Sequence, residues 1–201
     1  MNILKIVLVV VLGYLSGSFS TSILLTKKIY NDDIRNKGSK NAGATNVARV
    51  YGLKMGFMTL FGDMIKTAVA AAVGHFLYGE LGVAVGCAAC IIGHCFPIYY
   101  HFKGGKGVSV GACIALVIDW RFFLILLGVF VISFILTKTV SICSILCAVS
   151  FTVAYIPLNG TNNPAFYLCL LVTVLVCFMH RENMKRIIKG EEKKFKSKSG
   201  E

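Results

Sequence analysis

The stretch 108–136, VSVGACIALVIDWRFFLILLGVFVISFIL, decides how this chain is built. It reads either as one long apolar helix with Asp119-Trp120-Arg121 inside it, or as two shorter helices meeting at that trio. Other apolar runs occupy 3–25, 55–78, 81–100, 140–158 and 165–179. A perpendicular membrane span needs about 20 residues rising about 1.5 Å each, so 3–25, 55–78, 81–100 and 140–158 have the length of spans outright. Loop charge then separates the two readings. Segment 26–54 carries Lys27, Lys28, Arg35, Lys37, Lys40, Arg49 and Lys54. The tail beyond His180 carries Arg181, Lys185, Arg186, Lys189, Lys193, Lys194, Lys196 and Lys198. The positive-inside rule puts both segments in the cytoplasm, which requires an odd number of spans. Splitting at 119–121 gives seven, whereas merging gives six and strands one basic segment outside. The expected fold is therefore all-α: a polytopic membrane helix bundle of seven short spans, N-terminus outside and C-terminus cytoplasmic. The run 3–25 starts like a signal peptide, but it is too long and lacks a cleavage site, so it reads as a retained first span.

Composition agrees. Of 201 residues, 56% are hydrophobic and 15% charged, with a mean hydropathy of +0.74. Soluble domains carry about 25% charge, which argues against a soluble enzyme and against disorder. Lys and Arg number 21 against 9 Asp and Glu, a net charge of +12. On so apolar a chain this excess is an orientation signal, not a nucleic-acid footprint. The 8 cysteines all lie in apolar runs, where cysteine behaves as a small hydrophobe. Cys87-x2-Cys90-x3-His94-Cys95 has metal-like spacing but sits among Gly, Ala and Ile, so neither a metal site nor a disulfide framework is expected. Residues 1–192 form one membrane-embedded domain, and 193–201 a basic tail expected to fray on the anionic inner leaflet.

Three polar islands fall on the inner face. The first is Gly38-Ser39-Lys40-Asn41-Ala42-Gly43-Ala44-Thr45-Asn46-Val47-Ala48-Arg49. Gly38 and Gly43 let successive N–H groups converge, Ser39, Thr45 and Asn46 add donors, and Arg49 offers a planar fork for phosphate. The second runs from Gly93-His94-Cys95-Phe96-Pro97 to Phe102-Lys103-Gly104-Gly105-Lys106-Gly107. A glycine-rich turn opening a helix places unpaired amides and the positive dipole end together, which suits an anion. It is not a Walker A loop, because Gly107 follows Lys106. Within it, Gly107-Val108-Ser109-Val110-Gly111 matches G-x-S-x-G in form. A nucleophile elbow needs a strand-turn-helix with Asp and His partners, so Ser109 is rejected as a nucleophile.

The third island is His180 to Glu192. Helical spacing puts His180, Asn183, Met184 and Ile187 on one face. Two readings stay open: His180 caps the last membrane turn, or with Asn183 it holds a substrate hydroxyl or phosphate. Ser141 and Ser144, one turn apart, open another inward-facing helix and serve as an N-cap or a phosphate pocket. Asp63 and Lys66, at i and i+3, read as a self-paired ion couple, while intramembrane charges are functional suspects by default. Gly13-x3-Gly17 and Gly82-x3-Gly86 read as close helix packing.

Together these islands resemble the bacterial membrane acyl-phosphate:glycerol-3-phosphate acyltransferases over nearly the whole chain. The resemblance rests on Gly38-Ser39, Asn41, Gly43-Ala44-Thr45-Asn46 and Arg49; on Gly93-His94, Phe96-Pro97 and Phe102 to Gly107; and on His180-Arg181, Asn183, Arg186, Gly190 and Glu192. The family pattern usually has glycine where Lys40 stands and often arginine where Lys138 stands. The resemblance implies transfer of a fatty acyl group from acyl phosphate to glycerol 3-phosphate, giving lysophosphatidic acid and phosphate, the first step of phospholipid biosynthesis. It implies a bacterial cytoplasmic-membrane enzyme with its active site on the cytoplasmic face. Besides the two substrates and membrane lipids it implies no nucleic acid and no obligate protein partner. The donor is an activated anhydride, so no metal, cofactor or covalent nucleophile is called for.

By the same resemblance Ser39, Arg49, His180 and Asn183 would hold glycerol 3-phosphate. Lys106, with Lys103, would neutralise phosphate charge. Asn41, Gly43, Thr45, Asn46, Ser141 and Ser144 would line the acyl-phosphate site, and Gly104, Gly105 and Gly107 would act through backbone shape. His180 has the intrinsic pKa of a base but no carboxylate to orient it, so a substrate phosphate oxygen is favoured as proton acceptor. A transporter or flippase for a phosphorylated anion is the alternative; transporters place their sites near the midplane, whereas these polar residues cluster on one face. A soluble-type acyltransferase needs Asp five positions after His, which none of the 4 histidines has.

Overall fold

The computed structural model describes residues 3–196; the remainder of the expected frayed tail, 197–201, lies outside the described residues. The chain forms α1 (Ile3–Ser18), α2 (Thr21–Tyr30), α3 (Ala44–Tyr51), α4 (Leu53–Cys95), α5 (Val108–Ile118), α6 (Trp120–Thr137), α7 (Val140–Asn159), α8 (Pro164–Met179) and α9 (Arg181–Ile188). No strand occurs among the described residues. Among the described residues, four segments are long and apolar enough to cross a membrane: Ile3–Tyr30, Leu53–Tyr100, Trp120–Thr137 and Val140–Asn159. The pair α8–α9, bent by 55°, makes a fifth if taken as one span. The outer surface is greasy: Phe76 and Leu136 are 86% and 77% exposed, as suits a lipid-facing exterior and not a soluble one.

The break at Asp119 is present. Asp119 has extended backbone (φ −160°) and caps α6, its carboxylate accepting from the Arg121 N–H at 2.9 Å. The Arg121 guanidinium adds an ion pair at 2.8 Å. A second break, inside α4 at Tyr78 and Gly79, folds that helix back on itself.

The run 3–25, by contrast, does not continue as one helix. It ends α1 at Ser18 and restarts as α2 at Thr21. Carbonyls left open by such a break are costly in an apolar medium. Here the Lys66 ammonium on α4 satisfies them, donating to Gly17 O at 3.0 Å and Phe19 O at 2.6 Å. A positive charge at a helix C-terminus is favourable in itself.

The glycine spacings serve close packing. A Cβ on Gly13 would strike the Gly86 carbonyl, and one on Gly17 the Cys90 backbone, so α1 lies directly on α4. The main core includes Ile91, Val110, Ile114, Phe122, Phe151 and Val172, and the Phe122 ring meets Phe151 edge-on at 4.9 Å. A separate small core of Ile23, Ile34, Ala42, Val47 and Met55 lies under segment 31–52. The first island therefore rests on a packed support of its own and is not merely a solvated loop.

Candidate active site

The glycine turn after Pro97 is built against the end of α4. Gly105 N–H donates to His94 O at 3.0 Å. Gly107 precedes α5 with φ +82°, a left-handed conformation that side chains disfavour, and so turns the chain into the helix. This places Lys106 at the opening of α5, where unpaired amides and the dipole favour anions.

Lys106 is partly buried, and its ammonium donates to Asn183 Oδ1 on α9. The Asn183 Nδ2 donates onward to Glu192 Oε1 at 2.7 Å. Ser141 Oγ, in the first turn of α7, donates to the same oxygen at 2.7 Å. Arg186 Nε donates to Glu192 Oε2, also at 2.7 Å. Glu192 thus ties α7 to α9 and, through Asn183, to the glycine turn. It reaches this position because Gly190 (φ +71°) reverses the chain after α9. The Glu191 N–H closes on Arg186 O at 2.8 Å and the Gly190 N–H on Ile187 O at 3.0 Å, a Schellman ending.

The electrostatics follow from this packing. Burial pulls the Lys106 ammonium down to about 8; Glu192 opposes this, while Arg186 and Arg49 add to it. Burial pushes the Glu192 carboxyl up, yet hydrogen bonds from Ser141, Arg186 and Asn183 hold it below its usual range. One carboxylate among Lys106, Arg186 and Arg49 leaves a positive surplus, as an anion site requires.

His180, buried at the α8–α9 junction, lies within range of the Lys106 charge. Its Nδ1 is 2.8 Å from Val176 O. A carbonyl only accepts, so the proton sits on Nδ1 and a neutral ring offers Nε2 as acceptor. His180 and Asn183 are buried while Arg181 and Lys185 are exposed, in keeping with the helical spacing.

The first island differs from expectation in its details. Asn46 is 1% exposed and its carboxamide is fully engaged. Its Oδ1 accepts from Ser39 N–H at 2.8 Å, and its Nδ2 faces Lys37 O at 2.9 Å, Asn41 O at 3.0 Å and Ile34 O at 3.3 Å. Asn46 braces the arch that presents Ser39 and has no donor left for a substrate. Gly43 has extended backbone (φ −132°), so its turn-forming role falls away; the left-handed positions are Gly38 (φ +57°) and Lys40 (φ +59°). Ser39 is exposed, whereas Asn41, Thr45 and Arg49 are partly buried. Arg35 and Lys37, counted above only as orientation charges, pair with Asp33 and Asp32, and Arg35 also donates to Tyr100 O at 3.0 Å.

Neither serine of α7 caps it: Thr139 stands at the cap position without a side-chain cap bond. Ser144 Oγ donates to Val140 O of its own helix at 2.9 Å. Lys103 is exposed. The structure therefore joins Lys106, Asn183 and Ser141 through Glu192 and Arg186, with Arg49 and His180 in electrostatic range. Glu192 and Arg186 help carry the resemblance but were given no site role; the available signal was their place in that third motif.

Ser109 has Asp63 and His94 nearby, but in no triad order. Its hydroxyl donates to Asp63 Oδ2 at 3.1 Å, and the His94 Nδ1 is taken by Lys66 at 3.0 Å. Among the described residues no three His, Cys, Asp or Glu side chains gather as a metal site. A cavity of about 670 Å³, lined by Ala71, His75, Val117, Asn159 and Leu168 among others, lies at the opposite end of α5. Buried Val110, Ile114 and Val172 fill the bundle between it and the glycine turn.

Comparisons with known proteins bear on this geometry. The family model described as glycerol-3-phosphate acyltransferase matches residues 7–190. A glycerol-3-phosphate acyltransferase of Finegoldia magna is 40% identical over 194 residues, covering 96% of this chain and 98% of the relative. One of Syntrophotalea carbinolica is 38% identical over 191 residues, covering 92% and 95%. The crystal structure of PlsY (YgiH), an integral membrane glycerol 3-phosphate acyltransferase, in its glycerol 3-phosphate form has a TM-score of 0.88 to this chain at 28% identity, covering 95% of this chain and 96% of that one. Its lysophosphatidic acid form has a TM-score of 0.84 at 27% identity, covering 95% of each chain. With a family model spanning nearly its full length and relatives of this identity, the chain belongs to the glycerol-3-phosphate acyltransferase family.

Proposed function

We propose that this protein transfers a fatty acyl group from acyl phosphate to a hydroxyl of glycerol 3-phosphate, releasing lysophosphatidic acid and inorganic phosphate. The observation that carries this reading is the partly buried Lys106, presented by a glycine turn and held by Asn183, with Arg49, Arg186 and His180 around it. Both substrates carry phosphate. The related PlsY crystal forms hold glycerol 3-phosphate and lysophosphatidic acid, the acceptor and the product of this reaction.

Ser39, Arg49, His180 and Asn183 hold the acceptor. Lys106 neutralises the charge that develops on the leaving phosphate as the acyl carbon–oxygen bond breaks. Thr45, Ser141 and the backbone of Gly104, Gly105 and Gly107 border the donor. Asn46 acts at one remove by bracing the arch of Ser39. As the new ester bond forms, the acceptor hydroxyl gives up its proton. His180 is oriented by a carbonyl, not a carboxylate, and an imidazolium there would face Lys106, so a substrate phosphate oxygen takes that proton.

The chain crosses the bacterial cytoplasmic membrane seven times, with the N-terminus outside and with the C-terminus and the site inside. Support comes from the basic segments 26–54 and 181–198 and from the breaks at Gly79 and Asp119. The deciding experiment uses purified protein in detergent with labelled glycerol 3-phosphate, offering acyl phosphate or an acyl thioester. Lysophosphatidic acid from acyl phosphate alone is expected; product from neither donor sinks the reading and returns the chain to transport.

A further inference from the structure

Below the glycine turn lies a buried polar cluster that the proposed chemistry does not use. Asp63, Lys66 and His94 are 1%, 8% and 4% exposed. The fold-back of α4 at Gly79 brings the first two, on its N-terminal half, against the third, near its C-terminal end. Lys66 Nζ pairs with Asp63 Oδ1 at 2.9 Å, the self-paired couple that the sequence suggests. The couple continues beyond itself. Lys66 Nζ also lies 3.0 Å from His94 Nδ1. An ammonium only donates, so Nδ1 accepts and the ring proton of a neutral His94 sits on Nε2.

That Nε2 edge faces the turn. A Cβ on Gly105 would fall well inside contact with His94 Nε2 and Cε1, and the Gly105 N–H is bonded to the His94 carbonyl. On the other side of Lys106, Ser109 in the first turn of α5 donates to Asp63 Oδ2 at 3.1 Å. Both flanks of Lys106 thus meet the same cluster: Gly105 packs against the His94 ring, and the Ser109 hydroxyl bonds to Asp63. Thr21 Oγ1 of α2 also donates to Asp63 Oδ1, at 3.3 Å.

We propose that His94, clamped by Lys66 and Asp63, is a positioning residue that sets the height and direction of Lys106 by supporting Gly105. This rests on the acyl-transfer reading, in which Lys106 acts on the leaving phosphate. A charge-stabilising group displaced by about 1 Å loses on the order of 10²-fold in rate, so the support matters chiefly for kcat.

The test is a double-mutant cycle on purified protein in detergent, with kcat and KM for glycerol 3-phosphate and the thermal midpoint measured for each variant. Gly105→Ala is expected to lose about 10²-fold in kcat because its methyl strikes the His94 ring. His94→Ala is expected to lose about 10-fold in kcat with KM changed less, and its thermal midpoint falls because the buried ring leaves a cavity. In the His94→Ala background, adding Gly105→Ala should cost less than about 3-fold, since the methyl then occupies the space the ring vacated. His94→Gln, which keeps an acceptor for Lys66 but removes the ring from Gly105, should lower kcat several-fold; it decides the matter if His94→Ala does not fold. Equal cost of Gly105→Ala in both backgrounds overturns the proposal, as does wild-type kcat in His94→Ala or His94→Gln. An inactive wild-type protein would instead sink the acyl-transfer reading itself.

Discussion

The Asn183 carboxamide bridges Lys106 and Glu192 in one fixed orientation: its Oδ1 accepts from the lysine and its Nδ2 donates to the carboxylate. Lysine has no acceptor and carboxylate no donor, so the amide cannot turn over without breaking both bonds.

Asn183→Asp tests this polarity. The new carboxylate still accepts from Lys106 but meets Glu192 with two acceptors facing each other. It also subtracts charge from an anion site. The expected outcome is an increase in KM for glycerol 3-phosphate of at least about 10-fold, beyond that of Asn183→Ala, which deletes the bridge and the substrate contact but adds no negative charge. If Asn183→Asp and Asn183→Ala show the same KM in steady-state assays, the polarity of the bridge plays no part in substrate binding.

A pH profile tests the charge on Lys106. The proposed mechanism needs the ammonium, and burial pulls its pKa down to about 8. The group is therefore protonated and active below that pH, and kcat/KM falls as pH rises through it, because kcat/KM reports the free enzyme. Glu192 raises the Lys106 value, so Glu192→Gln moves the alkaline limb to lower pH. A limb that stays in place, or moves upward, in Glu192→Gln would assign the ionisation to another group.

The apolar helices and the break between α5 and α6 could be read from the sequence because both depend on local properties. Hydropathy marks the runs, and Asp119 with Arg121 marks the break between α5 and α6 through a capping bond two residues long. The break at Ser18 escapes such reading, since hydropathy continues through Leu25 and the cause, Lys66, lies 47 residues from Phe19. Glu192 was hidden for a similar reason: its partners Ser141 and Asn183 come from different helices. Ser144 and Asn46 misled in the opposite direction. Their side chains suit a phosphate, but one bonds back to its own helix and the other is spent on the arch. Residue type announces hydrogen-bonding capacity; only the fold shows whether that capacity remains unspent.

Asn46→Ala separates a brace from a ligand. Removing its buried bonds should destabilise the protein by about 2–3 kcal/mol, at about 1 kcal/mol net per bond. The thermal midpoint should fall on the order of 5–10 °C, together with activity, as the arch presenting Ser39 loosens. A direct substrate ligand behaves differently: activity would vanish while the midpoint in calorimetry or fluorescence stayed put.

Lys40→Gly should stabilise the chain. Lys40 occupies the left-handed region at φ +59°, in the turn where its N–H closes on Lys37 O at 2.9 Å. A residue with a Cβ is strained there by about 1–2 kcal/mol. Glycine removes that strain but makes the unfolded chain more flexible, which takes back about 0.5–1 kcal/mol. The balance favours the folded state by about 0.5 kcal/mol, or about 1–2 °C in a chain of this size. The side chain is exposed, so turnover should not change. The same strain gives a physical reason for the glycine usual at this position in the resembling acyltransferases. A lower midpoint in Lys40→Gly would mean that the lysine side chain contributes more through its contacts than its backbone loses.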